Sequence, residues 1–281
     1  MIWQARPIKE QIRITEMYSL FETHYKNGYV FPGETHNFWE CLYVQKGEVC
    51  VSADERVYNL SDGEIIFHKP LELHKFIVNS EAGADLLIFS FAAEGDLTTY
   101  LRDKVFRLSQ AQIVMVNDFL SYMHARTQTA DGRMRLHSYL SPFETFTCYS
   151  QMVAAYLCQL MLSLSEEGNV SSVSSSPDAI VFRKAISYLN HNLHRQPTVR
   201  EIAKYCNVSE AGLKRVFDKY ADIGVHKYLL KLKIKAAAEL LHDGQSVSEV
   251  ADKLGFNSQS YFSKAFKRET GTSPSDLKRS H

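Results

Sequence analysis

The reading of this chain turns on TVREIAKYCNVSEAGLKRVFDKYADIG (residues 198–224) and on SVSEVADKLGFNSQSYFSKAFKRETGTS (residues 246–273). The two stretches align once one residue is inserted in the turn of the second. Ile202, Ala203, Cys206, Val208, Leu213 and Phe217 then correspond to Val250, Ala251, Leu254, Phe256, Phe262 and Phe266. Each copy opens on a capping box, Thr198-x-x-Glu201 or Ser246-x-x-Glu249, in which hydroxyl and carboxylate reciprocally satisfy helix-end N–H groups. A tight turn through Asn207 or Gly255 follows, then a second helix behind a serine cap, Ser209 or Ser258. The small alanine permits a close helix crossing, and the apolar positions bury the corner. This pattern predicts two helix-turn-helix units, about 199–220 and 247–269, each sending its second helix into a DNA major groove.

Between the copies, Val225–His242 reads as a helix of about 18 residues, roughly 27 Å long at 1.5 Å per residue. Such a rod can hold two recognition helices near the ~34 Å separation of successive major-groove faces. Residues three and four apart share a helix face, so Leu213, Val216 and Phe217 turn inward, as do Phe262, Ala265 and Phe266. That leaves Ala211, Lys214, Arg215 and Lys219 outward on the first recognition helix. On the second, Gln259, Ser260, Ser263, Lys264, Lys267 and Arg268 are outward. Arg215 or Lys214 can pair with guanine O6 and N7, and Gln259 with adenine N6 and N7. Lys219, Lys267 and Arg268 suit phosphates, which give affinity without sequence information. Any one of these taken alone could be a solvated charge; as a set on one face of a repeated motif they read as a DNA surface.

The stretch AAAELLHDGQSVSEVADKLGFNSQSYFSKAFKRETGTSPSDLKR (residues 236–279) resembles the AraC/XylS family of transcriptional regulators. Gly255-Phe256, Ser260-Tyr261-Phe262, Phe266-Lys267 and Gly271-x-Ser273-Pro274 carry the likeness, which covers about residues 178–279. The first copy departs from the pattern. Asp222 stands where the second copy has Gly271, Val225 where it has Pro274, and Lys233 where the family usually has arginine. These changes bear on DNA contacts of the first unit, not on its fold. The resemblance implies a cytoplasmic, sequence-specific regulator that binds double-stranded operator DNA and a small-molecule effector. It further implies a homodimer and RNA polymerase as a partner.

Upstream of the repeat the chain changes character. Residues 1–176 hold 14 Lys+Arg against 21 Asp+Glu, whereas residues 177–281 hold 18 against 11. An acidic first part joined to a basic last part suggests that only the last part meets a polyanion. The five scattered cysteines form no Cys-x-x-Cys pair, which argues against a disulfide framework or a zinc ribbon and suits a reducing compartment. No apolar signal core opens the chain, and its longest apolar stretch, about Val153–Leu164, is too short to span a bilayer, so no membrane partner is expected.

The segments FWECLYV, EVCVSA, RVYNL, EIIFH, HKFIV and ADLLIFSF read as short strands separated by turn signals, which favours an antiparallel barrel over residues 1–95. After Gly95 the pattern becomes helical. Residues 96–164 form a helical subdomain whose apolar stripe (Met152, Val153, Tyr156, Leu157, Leu160, Met161, Leu164) suits packing on the barrel or dimerisation equally. SEEGNVSSVSSSP (residues 165–177) reads as a flexible linker, and residues 178–281 as the DNA-binding domain. The fold class is therefore α+β with two domains: a β-barrel with following helices, then an all-α domain of two helix-turn-helix units joined by a long helix.

The first part also resembles, more loosely, the cupin-like effector domain common in this family. Gly28, Glu34, His36, Glu40 and Gly47 fall at the spacings of the metal-cupin first motif, with Glu34 in place of its first histidine. His74 stands where the second motif has a histidine, while Pro70 and Glu72 fit loosely. Imidazole and carboxylate are proper ligands for a divalent metal. Because the motif is broken at one ligand, Glu34, His36, Glu40 and His74, with Trp39 and Tyr43 beside them, are expected instead to hold an organic effector. No resident metal, no other cofactor and no catalytic residue are expected. Trp3, Tyr25 and Tyr29 add aromatic surface that suits a sugar or an aromatic ligand. A metal-dependent enzyme with a DNA-binding tail, and a barrel that only dimerises, stay open as alternatives.

Overall fold

The structure, a computed structural model, describes residues 4–127, 139–165, 174 and 176–279. Trp3 and most of the serine-rich segment expected as a linker lie outside the described residues.

The N-terminal strands are β1 (Arg13–Tyr25), β2 (Val30–Glu34), β3 (Trp39–Lys46), β4 (Glu48–Ala53), β5 (Arg56–Ser61), β6 (Glu64–His68), β7 (His74–Val78), β8 (Ala84–Glu94) and β9 (Val105–Arg107). They form two antiparallel sheets, ordered β1-β8-β3-β6-β9 and β2-β7-β4-β5. The two sheets stay separate, so the expected barrel is an open sandwich compatible with a cupin-like jelly roll. β9 falls where the pattern reads as helical. It is three residues long and owes its form to pairing with β6 rather than to any periodicity of its own.

Alternation along the strands explains the layers. Leu42, Val44, Val49, Val51, Phe76, Val78 and Leu86 point between the sheets and pack there. Trp39, Cys41 and Tyr43 point the other way, into a second core roofed by α1 (Leu97–Leu101), α2 (Gln110–Thr127) and α3 (Tyr149–Leu164). Val153, Leu157, Leu160, Met161 and Leu164 of α3 are consumed by this core, while Met152 and Leu162 remain exposed.

The C-terminal part is helical: α4 (Pro177–His191), α5 (Val199–Cys206), α6 (Glu210–Tyr220), α7 (Val225–His242), α8 (Val247–Lys253), α9 (Gln259–Thr270) and α10 (Pro274–Arg279). Both capping boxes form, and Ser209 and Ser258 cap α6 and α9. The turn residues Asn207 (φ 58°) and Gly255 (φ 62°) take the left-handed conformation. At Gly255 a β-carbon would lie 2.0 Å from the carbonyl oxygen of His194, so only glycine fits. Asp222 (φ 57°) repeats the left-handed backbone of Gly271 (φ 80°) despite having a side chain.

The outer face of the four-stranded sheet docks on this helical part. Val57 and Leu73 join the core of Phe182, Phe217 and Tyr228. The Ser52 hydroxyl donates to the Tyr220 carbonyl, and Lys75 Nζ to the Asp218 carbonyl at 2.9 Å. From α7, Lys231 Nζ donates to Thr35 Oγ1 at 3.1 Å, and one turn on Lys235 pairs with the buried Asp54. The Ser174 amide donates to the Val57 carbonyl on β5 at 2.7 Å.

Candidate ligand pocket and DNA-reading faces

Glu34, His36, Glu40 and His74 meet at one end of the sandwich. Glu34 ends β2 and sits in register with His74, which opens β7; Glu40 lies near the start of β3, between His68 of β6 and Ser90 of β8. His36 comes from the β2–β3 connection. One donor atom from each of the four lies within 4.8 Å of the others. His74 Nε2 is 3.5 Å from Glu34 and 3.4 Å from Glu40; His36 Nε2 is 3.9 and 3.7 Å from the same carboxylates. These are ion-pair separations without aligned hydrogen bonds, and both Nε2 atoms are buried with no hydrogen-bond partner. Each ring is fixed through its other nitrogen. Nδ1–H of His36 donates to the Phe38 carbonyl at 2.9 Å, and that of His74 to the Glu72 carbonyl at 3.2 Å.

Burial alone would push the Glu40 carboxyl up, but the facing His36 and His74 hold it well below the usual carboxylate range. Burial would lower His74, yet Glu34 and Glu40 push it up to about 10. Below the site, His68 stacks on His74 with ring centroids 4.3 Å apart and bonds Glu72 at 2.7 Å. Lys69 lies 3.2 Å from Glu72 and 3.7 Å from Asp54, and also bonds Asp103. A chain of buried charge thus runs from the site to Lys235 on α7.

Above the quartet opens a cavity of about 360 Å³ lined by Tyr18, Phe21, Tyr25, Phe31, Phe38 and Phe76, with Glu34, His36 and Glu40 at its polar end. Tyr25 was legible as aromatic surface; the other five were missed. Trp39 and Tyr43, expected beside the site, are corrected: neighbouring strand residues face opposite ways, so with Glu40 turned to the cavity both must turn to the helix-covered core. The same parity rule applied to β1 would have found Phe21 and Tyr25 together.

On the recognition helices, Ala211, Lys214, Arg215 and Lys219 of α6 are exposed, as are Gln259, Ser260, Lys264, Lys267 and Arg268 of α9; Ser263 is half-buried. Lys219 and Arg215 lie 3.0 and 3.8 Å from Asp178 at the start of α4, and Arg268 lies 2.8 Å from Glu269. Tyr261, which the spacing argument left out, is also exposed on α9.

A two-sheet ligand cavity joined to paired helix-turn-helix units defines a DNA-binding regulator with a sensor part. Residues 18–176 match the family model described as an AraC-like ligand binding domain, and residues 202–280 the one described as a helix-turn-helix domain. The chain belongs to the AraC/XylS family of transcriptional regulators. It is 25% identical over 259 residues to the transcriptional activator RhaR of Enterobacter sp. (strain 638), covering 87% of this chain and 86% of that one. It is 35% identical over 100 residues to the raffinose operon regulatory protein RafR of Pediococcus pentosaceus, covering 35% of this chain and 36% of that one. Among solved structures, ToxT from Vibrio cholerae O395 aligns over 96% of this chain and 98% of its own, at 13% identity and a TM-score of 0.39. No helix among the described residues is long and apolar enough to cross a membrane.

Proposed function

We propose that the chain acts as a cytoplasmic homodimer which reads operator DNA through α6 and α9 and takes its effector in the aromatic cavity above Glu34, His36, Glu40 and His74. The observation that carries this reading is the convergence of two imidazoles, the buried Glu40 and the partly exposed Glu34 beneath that cavity, on the end of the sandwich where Thr35 holds α7. In this reading residues 1–95 bind the effector, with residues 96–164 sharing their core and offering Val114, Met152 and Leu162 to a second copy. Residues 165–177 connect, and residues 178–281 bind DNA and contact RNA polymerase. No chemistry is assigned to the site.

On DNA, Lys214, Arg215, Gln259 and Lys264 read bases, with Ala211, Ser260 and Ser263 beside them, and Lys219, Lys267 and Arg268 hold phosphates. With a duplex selected by the full chain from a random pool, Gln259→Ala and Lys264→Ala should each weaken binding by about 1–3 kcal/mol. Lys267→Ala should instead lower affinity for all duplexes and flatten the salt dependence. Unchanged sequence preference in the first two variants would reject this face. A metabolite screen by thermal shift identifies the effector. His36→Ala with Glu40→Ala should then abolish the response while leaving effector-free binding nearly unchanged; a normal response would place the effector elsewhere.

A further inference from the structure

We infer that Lys75 of the sensor sheet positions the first recognition helix for DNA, by capping the C-terminal turn of α6 that the second unit closes for itself. The effect on DNA rests on the reading of α6 as a base-contacting helix.

The repeat supplies the comparison. The last carbonyls of a helix have no partner inside it and need one from outside. Position for position, Asp218 of α6 corresponds to Lys267 of α9, and Asp222 to Gly271. In the second unit the Gly271 amide donates to the Lys267 carbonyl at 2.9 Å, so the chain closes its own turn. In the first unit the Asp222 amide goes instead to the Phe217 carbonyl at 3.0 Å, which the Ala221 amide already reaches at 2.8 Å. The Asp218 carbonyl is met from the sensor, by Lys75 Nζ at 2.9 Å. Two residues on, the Tyr220 carbonyl accepts from the Ser52 hydroxyl. At the end of the same turn β2 comes so near that a β-carbon on Gly33 would lie 2.9 Å from the Ala221 carbonyl oxygen.

Charge points the same way. A cation is favourable at a helix C-terminus, where the carbonyl ends of the peptide dipoles gather. The Lys75 side chain is 3% exposed, and its ammonium lies 3.9 Å from the Asp222 carboxylate. Asp222 holds a left-handed backbone (φ 57°) that suits glycine, and its side chain is what the lysine meets there. Neighbouring strand residues face opposite ways. His74 therefore turns to the quartet beneath the cavity, and Lys75, next along β7, turns out onto α6.

The test is amide hydrogen exchange of the full chain, read on peptides covering the last turn of α6, together with affinity for the selected duplex. Lys75→Met should speed exchange in that turn about tenfold and weaken duplex binding by up to about tenfold, the scale of one charge-assisted hydrogen bond. Ser52→Ala, which leaves the lysine in place, should act in the same direction by about threefold. Adding Asp222→Gly to Lys75→Met should restore both readouts, because the turn can then close as the second unit does. Lys214→Ala should cost less affinity in Lys75→Met than in the wild type, whereas Gln259→Ala should cost the same in both. Thermal unfolding checks that each variant folds. Unchanged exchange in both Lys75→Met and Ser52→Ala overturns the cap. Faster exchange with affinity unmoved, or a loss that Asp222→Gly does not relieve, overturns the positioning role. If Lys214→Ala is silent in the wild type while exchange still responds, the reading of DNA by α6 fails and the cap stands.

Discussion

Gly255→Ala is expected to destabilise the second helix-turn-helix unit by about 3 kcal/mol or more, enough to remove DNA binding by α9. Two costs add at this position. An L-residue in the left-handed region costs roughly 1–2 kcal/mol. A β-carbon 2.0 Å from the His194 carbonyl oxygen also forces backbone from backbone, since no flexible side-chain tip can yield there. Asn207 is the internal control, because it holds the corresponding turn with a similar φ of 58° and a side chain already in place. Asn207→Ala should therefore lose only about 1 kcal/mol. Urea unfolding followed by helical circular dichroism measures both; equal losses would mean that the His194 approach is relieved without strain.

Lys69→Met is expected to cost the N-terminal sandwich about 3–5 kcal/mol, the range for stripping one partner from a buried charge group. Lys69 lies among Asp54, Glu72 and Asp103, and two of those carboxylates are almost fully buried. Burial would lower the Lys69 ammonium, but Glu72 and Asp54 raise it above its usual value. Methionine keeps most of the aliphatic stem and removes the charge together with its hydrogen bond to Asp103, so the loss separates polar interactions from packing. Lys69→Arg should restore most of the stability. A drop in unfolding free energy below about 1 kcal/mol for the methionine variant would show that Lys235, paired with Asp54, and Arg56, paired with Asp103, suffice for the neutralisation.

The helical half of the fold was legible because its signals are local. Each capping box spans four residues, and each apolar corner repeats at intervals of three and four, so Thr198, Ser246, Phe217 and Phe266 announce their own roles. The candidate pocket was legible at its polar end and not in its walls. Glu34, His36, Glu40 and His74 were found through motif spacing, and the structure brings them together. Phe31, Phe38 and Phe76 come from separate strands and a connection, and only the pairing of β2 with β7 makes them neighbours. Trp39 and Tyr43 were misplaced because closeness to Glu40 in sequence outweighed strand parity. β9 was hidden for a related reason: three residues carry no period, and their partner is some forty positions away. The docking of α7 on Thr35 and Asp54 had no signal at all in the sequence, since it joins lysines and acceptors nearly two hundred residues apart.

β5 is the last strand of its sheet, and a terminal strand offers unsatisfied amides and carbonyls to any chain that can pair with it. Here that rim is occupied from within, by the Ser174 amide on the Val57 carbonyl and by α4 lying alongside. Ser174 and α4 therefore cover part of a rim that could otherwise pair with another chain. A sensor fragment ending at Ser165 loses that cover, along with the apolar partners of Val57 and Leu73. Its solubility, rather than its ability to bind ligand, becomes the quantity at risk when the two halves are separated.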